Sequence, residues 1–418
     1  MTPKTIFSNL ELMQGRVKNI PDGWNFSHLG QTYKIRNSFR LPISEEERST
    51  NPGPYPYYGP TKIQGYIGTF QQDGEFALIG EDGDHFLKYR NNPMTQLVSG
   101  KCTINNHAHI IQGTAKASRE WFYYYFMHRD IFSFLTRQGA GRYKLNKAAL
   151  EKLPILVPPV KEQTKITQIL STWDQAIATT KKLIENSTNQ KKGLMQQLLT
   201  GKTRFREFMQ SKENLQTKYG PIPADWSFIA LNEVAKDQVE RAGEDTSYTV
   251  LSCSKYVGFV DSLKYFKKKV YSDDTSNYKV VRRGCFGFPS NHIEEGSIGY
   301  QDTYDAGIVS PIYSVFKTND QVHDSYLYKL LKTDHYRQIF QANTNASVDR
   351  RGSLRWKEFG KIHIPLPSVE EQKKIAATIT IAEQEISNLT DQLENLNNQK
   401  KALMQQLLTG KRRVKVDK

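Results

Sequence analysis

The sequence predicts an α+β protein in which two globular β-rich domains are separated by two long antiparallel coiled-coil helices, an internal repeat of pseudo-two-fold symmetry. Three observations predict it. The stretch NQKKGLMQQLLTGK beginning at Asn189 returns as NQKKALMQQLLTGK at Asn398, 209 residues on, with Gly193/Ala402 the one difference. That spacing holds upstream through Glu162-Gln163 and Glu371-Gln372, and Ile155 and Pro158 match Ile364 and Pro367. Before each variable stretch, IPDGWNF from Ile20 is echoed by IPADWSF from Ile222, which pairs Trp24 with Trp226 and Phe26 with Phe228 at an offset of 202. Self-similarity at fixed spacing defines an architecture before any single residue is interpreted.

The repeat divides the 418 residues into a first globular domain at 1–158, a helix at 159–202 and a linker at 203–221. A second globular domain follows at 222–367, then a second helix at 368–411 and a basic tail at 412–418. Each variable stretch has about the commonest domain size and can bury its own core. Within them, LVSGKCTINNHAHII, AGIVSPIYSVF and YKVVRRGCFGFPS carry the alternation and Gly/Pro punctuation of strands between turns. SREWFYYYFMHRDIFSFL and DSYLYKLLKTDHYRQIF have helical spacing. The dense aromatics from Trp121 to Phe126 suit a stacking platform for single-stranded bases, but fit a buried helix face better.

The helices show heptad seams. In the second, apolar residues fall at Ile375, Ile379, Ala382, Ile386, Leu389, Leu393, Leu396, Leu403 and Leu407, with Lys400 in the one polar slot. The first repeats the register at Ile166, Leu170, Trp173, Ile177, Ile184, Leu194 and Leu198, weakened by Thr180 and Ser187, with Lys191 in the lysine slot. Alternating steps of four and three keep one narrow stripe facing a partner helix. A lysine in such a seam fixes register or snorkels outward. Ser368 with Glu371 reads as a capping box, and Gly201 and Gly410 sit where each helix should stop. Each helix of about 35 residues spans about 50 Å, and the antiparallel pair acts as a ruler between the domains.

Lys plus Arg total 58 against 43 for Asp plus Glu, a net charge of +15, which points to a polyanionic partner. No apolar run reaches membrane length and no signal-peptide core is present, so a cytoplasmic protein without a membrane partner is expected. Cys102, Cys253 and Cys285 form no close pair or ligand-spaced cluster, which argues against disulfides and zinc. His107 and His109, two apart on an expected strand, lack further ligands for a metal and suit a structural or DNA-facing polar role.

Side chains that tell bases apart are chiefly Arg, Lys, Asn and Gln carried on loops of a rigid scaffold. The first domain offers Tyr57, Tyr58, Lys62 and Gln64 in YYGPTKIQGY, then Arg137, Gln138, Arg142 and Lys144 in RQGAGRYK. The second offers Arg282, Arg283, Asn291 and His292 in RRGCFGFPSNH, then Asn345, Arg350, Arg351 and Arg355 in NASVDRRGSLR. Arg142 and Arg351 match at the 209 offset, just before the entry to each long helix, a place suited to gripping phosphate.

Two dissimilar domains, each opening with I-P-x-x-W and closing with ILVPPVKEQ or IHIPLPSVEEQ, followed by a heptad helix ending LMQQLLTGK, resemble the specificity subunit of a Type I restriction-modification system. The resemblance covers nearly the whole chain and is strongest in the paired P-x-x-x-E-Q entries and LLTGK exits. It implies a DNA-reading subunit without catalytic residues, metal or cofactor of its own. Two target-recognition domains each read half of an asymmetric, two-part site on double-stranded DNA. The helices dock two modification subunits, which bind S-adenosylmethionine and methylate a flipped adenine. Two restriction subunits use ATP and Mg to cut unmethylated DNA.

Two enzyme readings compete. NPGPY at Asn51–Tyr55 is similar to the Asn-Pro-Pro-Tyr motif that holds a flipped adenine in DNA methyltransferases, but Gly53 breaks it and no glycine-rich cofactor loop follows a strand. EEQKK at 370–374 has the acid-x-Lys spacing of metal-dependent nucleases, though Glu371 already has a capping role. A coiled-coil scaffold that does not bind DNA leaves the +15 balance unexplained.

Overall fold

The computed structural model describes residues 20–138, 142–245, 247–346 and 352–416. The chain folds as two compact units: one takes the chain up to Lys181 and from Asp391 onward, the other takes Lys182–Thr390. The two long helices, Val160–Leu198 and Val369–Leu407, have 39 residues each, slightly longer than the heptad count suggests.

In the first unit a six-stranded sheet has the order β2-β7-β5-β6-β3-β4. Its strands are β2 (Lys34–Ile35), β3 (Pro52–Tyr58), β4 (Ile63–Ile67), β5 (Gln72–Gly80), β6 (Thr95–Ile104) and β7 (Ala108–Gln112). Two short pairs flank it, β1 (Asn25–His28) with β10 (Pro154–Val157) and β8 (Thr136–Gln138) with β9 (Arg142–Lys144). The helix α1 (Arg119–Phe126) starts at Ser118, whose hydroxyl accepts the Trp121 N–H. Trp121, Phe122, Tyr124, Tyr125 and Phe126 are buried, so this aromatic run is core. Ile166 and Leu170, near the start of α2 (Val160–Leu198), share that core with Leu403, Met404 and Leu407.

The second unit opens with the hairpin β11 (Asn214–Thr217) and β12 (Gly220–Pro223), so the expected linker is itself folded. The pair β13 (Ser227–Ala230) with β24 (His363–Leu366) follows. Two four-stranded sheets form the body. One orders β14 (Ala235–Asp237), β21 (Tyr313–Thr318), β18 (Phe286–Pro289) and β19 (Gly299–Tyr300). The other orders β16 (Gly258–Asp261), β15 (Thr249–Ser254), β20 (Ala306–Val309) and β17 (Lys279–Arg282). A short pair, β22 (Asn345–Ala346) and β23 (Gly352–Ser353), precedes β24. The expected single helix from Asp324 is two, because the Thr333 hydroxyl caps a new start: α4 (Asp324–Leu331) ends and α5 (Asp334–Asn343) begins. Before them α3 (Ser262–Phe266) starts on the Asp261 carboxylate. Leu194 and Leu198 share this unit's core with Ile375 and Ile379 of α6 (Val369–Leu407). In each unit, then, one end of one long helix meets the opposite end of the other, which is antiparallel order.

Every residue of both seams is buried or half-buried, whereas Leu183 and Ile381, apolar but off the seam, are 45% and 70% exposed. The polar seam slots have partners. Lys400 bonds the Asp174 carboxylate, which also accepts the Tyr124 hydroxyl. In the second unit Lys191 lies 3.7 Å from Glu383, which also takes Lys329 at 2.6 Å.

The repeat extends into the β-structure beyond what the identical residues reveal. Asn25 faces Val157 as Ser227 faces Leu366. Lys34 faces Gln112 as Lys236 faces Lys317, and Ala77 faces Ile111 as Phe286 faces Phe316. The two variable domains therefore share a strand framework dressed with unrelated side chains.

The repeated termini close each unit in the same way. The Trp24 indole donates to Glu162 at 3.0 Å, and Trp226 to Glu371 at 3.1 Å. Arg413 reaches Glu162 through two bonds at 2.7 and 2.8 Å, and Arg204 reaches Glu371 at 2.9 and 2.8 Å. Such fork-to-carboxylate pairs are short and geometrically selective. The neighbouring glutamines bind backbone: Gln163 takes the Ser118 N–H and donates to Lys116 and Pro158, while Gln372 takes the His323 N–H and donates to Gln321 and Pro367. Gly201 and Gly410 end the helices at φ +70° and +67°, where a Cβ would strike Pro223 and Pro21. The capping box at Ser368 is half made: its hydroxyl accepts the Glu371 N–H, but the Glu371 carboxylate serves Arg204 and Trp226 instead. That use also removes it from any nuclease role.

Candidate nucleic-acid interface

Three segments that the sequence singles out converge in the first unit around the end of β5. The backbone N–H of Asn105 bonds Tyr58, that of Glu81 bonds His107, and that of Leu145 bonds Glu81. The YYGPTK turn, the NNHAH turn and the β8–β9 hairpin thus meet at Gly80–Asp82. Glu81 holds the group electrostatically, pairing with Arg40 and, at 3.3 Å, with Lys144. Burial raises its carboxyl, but hydrogen bonds from Arg40 and Lys144, with the charge of Arg40, outweigh this and hold it below its ordinary value.

Around this hub Lys62, Gln64, Arg137 and Arg142 are exposed. Tyr58 is half-buried on β3. Tyr57 is fully buried, its hydroxyl taking the N–H of Ile43 and the Asn105 amide, so it supports the turn from beneath and has no free edge for a base. Gln138 ends β8 and Asn345 opens β22; their side chains, and Arg350 and Arg351 altogether, lie outside the described residues. The histidines part company as well. His107 lies in the turn, bonded to Asp82 at 2.8 Å, while His109 is buried on β7 between the Asn37 amide and the Leu145 carbonyl. Burial lowers the His109 imidazole below its ordinary value, and the partners fit a neutral ring protonated on Nε2.

In the second unit RRGCFGFPSNH is not one loop. Phe286–Pro289 form the buried strand β18, with Arg282 and Arg283 before it and Asn291 and His292 after it. Arg282 is held by Glu240 through bonds of 2.8 and 2.6 Å, and Arg283 by Asp305 at 3.0 Å. The other end gathers Asn291, His292 and the exposed Arg355, because the Leu354 N–H bonds Ser290. This bond is the counterpart of Leu145 to Glu81.

Sequence reasoning missed a second patch in this unit. Tyr256 and Val257, at the β15–β16 turn, are 78% and 66% exposed. Beside them α3 and its end carry exposed Tyr265 and Phe266 with Lys264, Lys267, Lys268 and Lys269. The signal was present in LKYFKKK, lysines interleaved with aromatics, the composition of surfaces that grip phosphate and stack bases. In the first unit Tyr66, 57% exposed on β4, similarly stands two residues from Gln64.

NPGPY runs into β3 at a bulge: Pro52 and Tyr55 both face Ile67 on β4, and a Cβ at Gly53 would strike Gly68. The three cysteines are unpaired, and burial pushes the Cys102 and Cys253 thiols up to about 11 and about 12. No helix among the described residues is long and apolar enough to cross a membrane.

A family model described as the Type I restriction modification DNA specificity domain matches residues 21–187 and again 223–398. The Type I restriction enzyme MjaVIII specificity subunit of Methanocaldococcus jannaschii is 25% identical over 95% of this chain and 94% of its own length. A putative type I specificity subunit of Haemophilus influenzae is 37% identical, over 34% of this chain and 35% of that relative. Among solved structures, the Type I restriction-modification S subunit of M. genitalium shares the fold with a TM-score of 0.59, at 14% identity over 94% of this chain and 98% of that one. With both repeats matched, the chain belongs to the Type I restriction-modification DNA specificity family, whose members recognise DNA without performing the chemistry.

Proposed function

We propose that the two variable domains read the two unlike halves of a bipartite, asymmetric site on duplex DNA, and that α2 and α6 set the gap between them. The observation that carries this reading is the shared strand framework with unrelated loops: the same frame twice, presenting different side chains. A helix of 39 residues is about 58 Å long, enough to space readers by one turn of duplex, about 34–36 Å, or a little more. The +15 charge supplies salt-dependent affinity, and the loops supply sequence choice.

The reading residues we assign are Tyr58, Lys62, Gln64, Arg137, Gln138, Arg142 and Lys144 in the first domain. In the second they are Asn291, His292, Asn345, Arg350, Arg351 and Arg355, joined by the α3 lysines. Arg282 and Arg283, at the opposite end of β18 and already paired with acids, contact phosphate. Two modification subunits carrying S-adenosylmethionine dock on the helices, and two restriction subunits carrying ATP and Mg join them. The chain itself holds neither cofactor nor metal, and the assembly works in the cytoplasm. The functional domains divide at 158, 202, 221, 367 and 411, as the repeat spacing indicates. A genome-wide map of N6-methyladenine with and without the gene tests this: one bipartite motif should vanish on deletion, and an unchanged map would refute it.

A further inference from the structure

A cavity of about 830 Å³ opens in the first unit beside the end of α1 and the last turns of α6. Its lining combines cations and aromatic rings: Arg90, Arg129, Lys400 and Lys401 with Tyr89 and Tyr124. Arg129 is the unusual member. It is only 9% exposed, its Nε donates to the Tyr125 carbonyl at 2.8 Å, and its guanidinium lies 3.5 Å from the Tyr125 ring centre. Its Nη1 is buried without a hydrogen-bond partner, and no carboxylate pairs with it among the described residues. Burial lowers this guanidinium to about 10, so it remains charged at neutral pH.

A buried cation with an unsatisfied donor is costly unless something anionic visits it. The surroundings do not neutralise it. Lys400 is taken by Asp174, and the Asp130 carboxylate accepts the Tyr89 hydroxyl and the Phe132 N–H. Lys401 and Arg90 are exposed on the rim. Burial lowers the His128 imidazole; the Tyr89 carbonyl and the Asp174 charge oppose this, and the charges of Lys400 and Lys401 add to it. The volume falls within the range of small-molecule sites, about 300–1,000 Å³.

We propose that this cavity binds a phosphate-bearing small molecule of about nucleotide size, its phosphate against Arg129, Arg90 and Lys401 and its ring among the tyrosines. An oxyanion matches the guanidinium fork and can accept from several donors at once. The test is calorimetric titration of the full chain with AMP, adenosine and inorganic phosphate. AMP should bind saturably at one site, phosphate more weakly, and adenosine not measurably. The rim double variant R90Q/K401Q should weaken AMP by about 10-fold or more, since two charge-assisted bonds are lost. Arg129→Lys, which keeps the charge but not the fork, should also weaken AMP, with the fold checked by circular dichroism. Absence of AMP binding, equal binding of adenosine, or AMP affinity unchanged in R90Q/K401Q would overturn the proposal. So would a double variant that loses only duplex-DNA affinity, because the patch would then belong to a phosphate track on DNA.

Discussion

Lys400 bonds Asp174 across the helix pair, and 209 residues away from each in the repeat Lys191 faces Glu383. A lysine in a heptad seam is thus matched with an acid at the reciprocal position, so the polar slot specifies register. Lys400→Leu should destabilise the protein by about 1 kcal/mol, and Lys400→Leu with Asp174→Leu should recover most of it, because apolar replacement of an ion pair is often neutral. The looser, more exposed Lys191–Glu383 pair should show weaker coupling, a few tenths of a kcal/mol. Double-mutant cycles from chemical denaturation measure both.

The two glutamate clamps should differ in strength. Arg204 is 5% exposed and is held above its ordinary pKa chiefly by its bonds to Glu371, whereas Arg413 is 42% exposed. Glu371→Gln leaves the buried Arg204 with Asp225, at 2.6 Å, as its remaining carboxylate and should cost about 2–3 kcal/mol, with Glu162→Gln costing roughly half as much. Equal losses in urea unfolding would contradict the assignment.

Helix termination gives a third check. At Gly410 an alanine would have to adopt φ near +67° and push its Cβ into Pro21, and Gly201 meets the same problem against Pro223. Each Gly→Ala change should lower stability by about 1–3 kcal/mol, while Gly193→Ala, mid-helix with open space around it, should raise it by about 0.5–1 kcal/mol.

Stability should also respond to pH through His109. Burial sets its folded pKa below the unfolded value, so the unfolded state binds more protons between the two values. Stability is therefore full above the ordinary imidazole value and declines as pH falls through the window beneath it. His109→Gln should flatten that part of the profile, as denaturation at pH 7.5 and 5.5 would reveal, even if it lowers stability at both.

The α3 patch bears on DNA affinity. Lys267→Gln with Lys268→Gln should weaken binding across sequences alike and reduce the salt slope by about 2, near 0.9 per phosphate released. Gln64→Ala, on β4 rather than in a lysine run, should instead change which sites are preferred.

Much of this was legible because the frame is written twice in nearly identical residues. Heptad spacing placed the seams, and Gly201 and Gly410 marked the helix ends by the backbone they require. The partners of Glu162 and Glu371 were not legible, since Trp24 and Arg413 reach Glu162 from opposite ends of the chain. The matched strand registers were hidden as well, because small insertions shift the offset from 202 to 209, then 205, then 209 again. Tyr57 looked like a loop residue because alternation over Pro52–Tyr58 is interrupted by prolines and glycine, yet it occupies an inward position of β3.

The most direct measurement of the central claim is a methylation map after one heptad is deleted from both long helices. Seven residues shorten each rod by about 10 Å, at most about 3 base pairs of duplex. The account predicts both half-sites unchanged with fewer base pairs between them; an unaltered gap in a folded, active variant would contradict it.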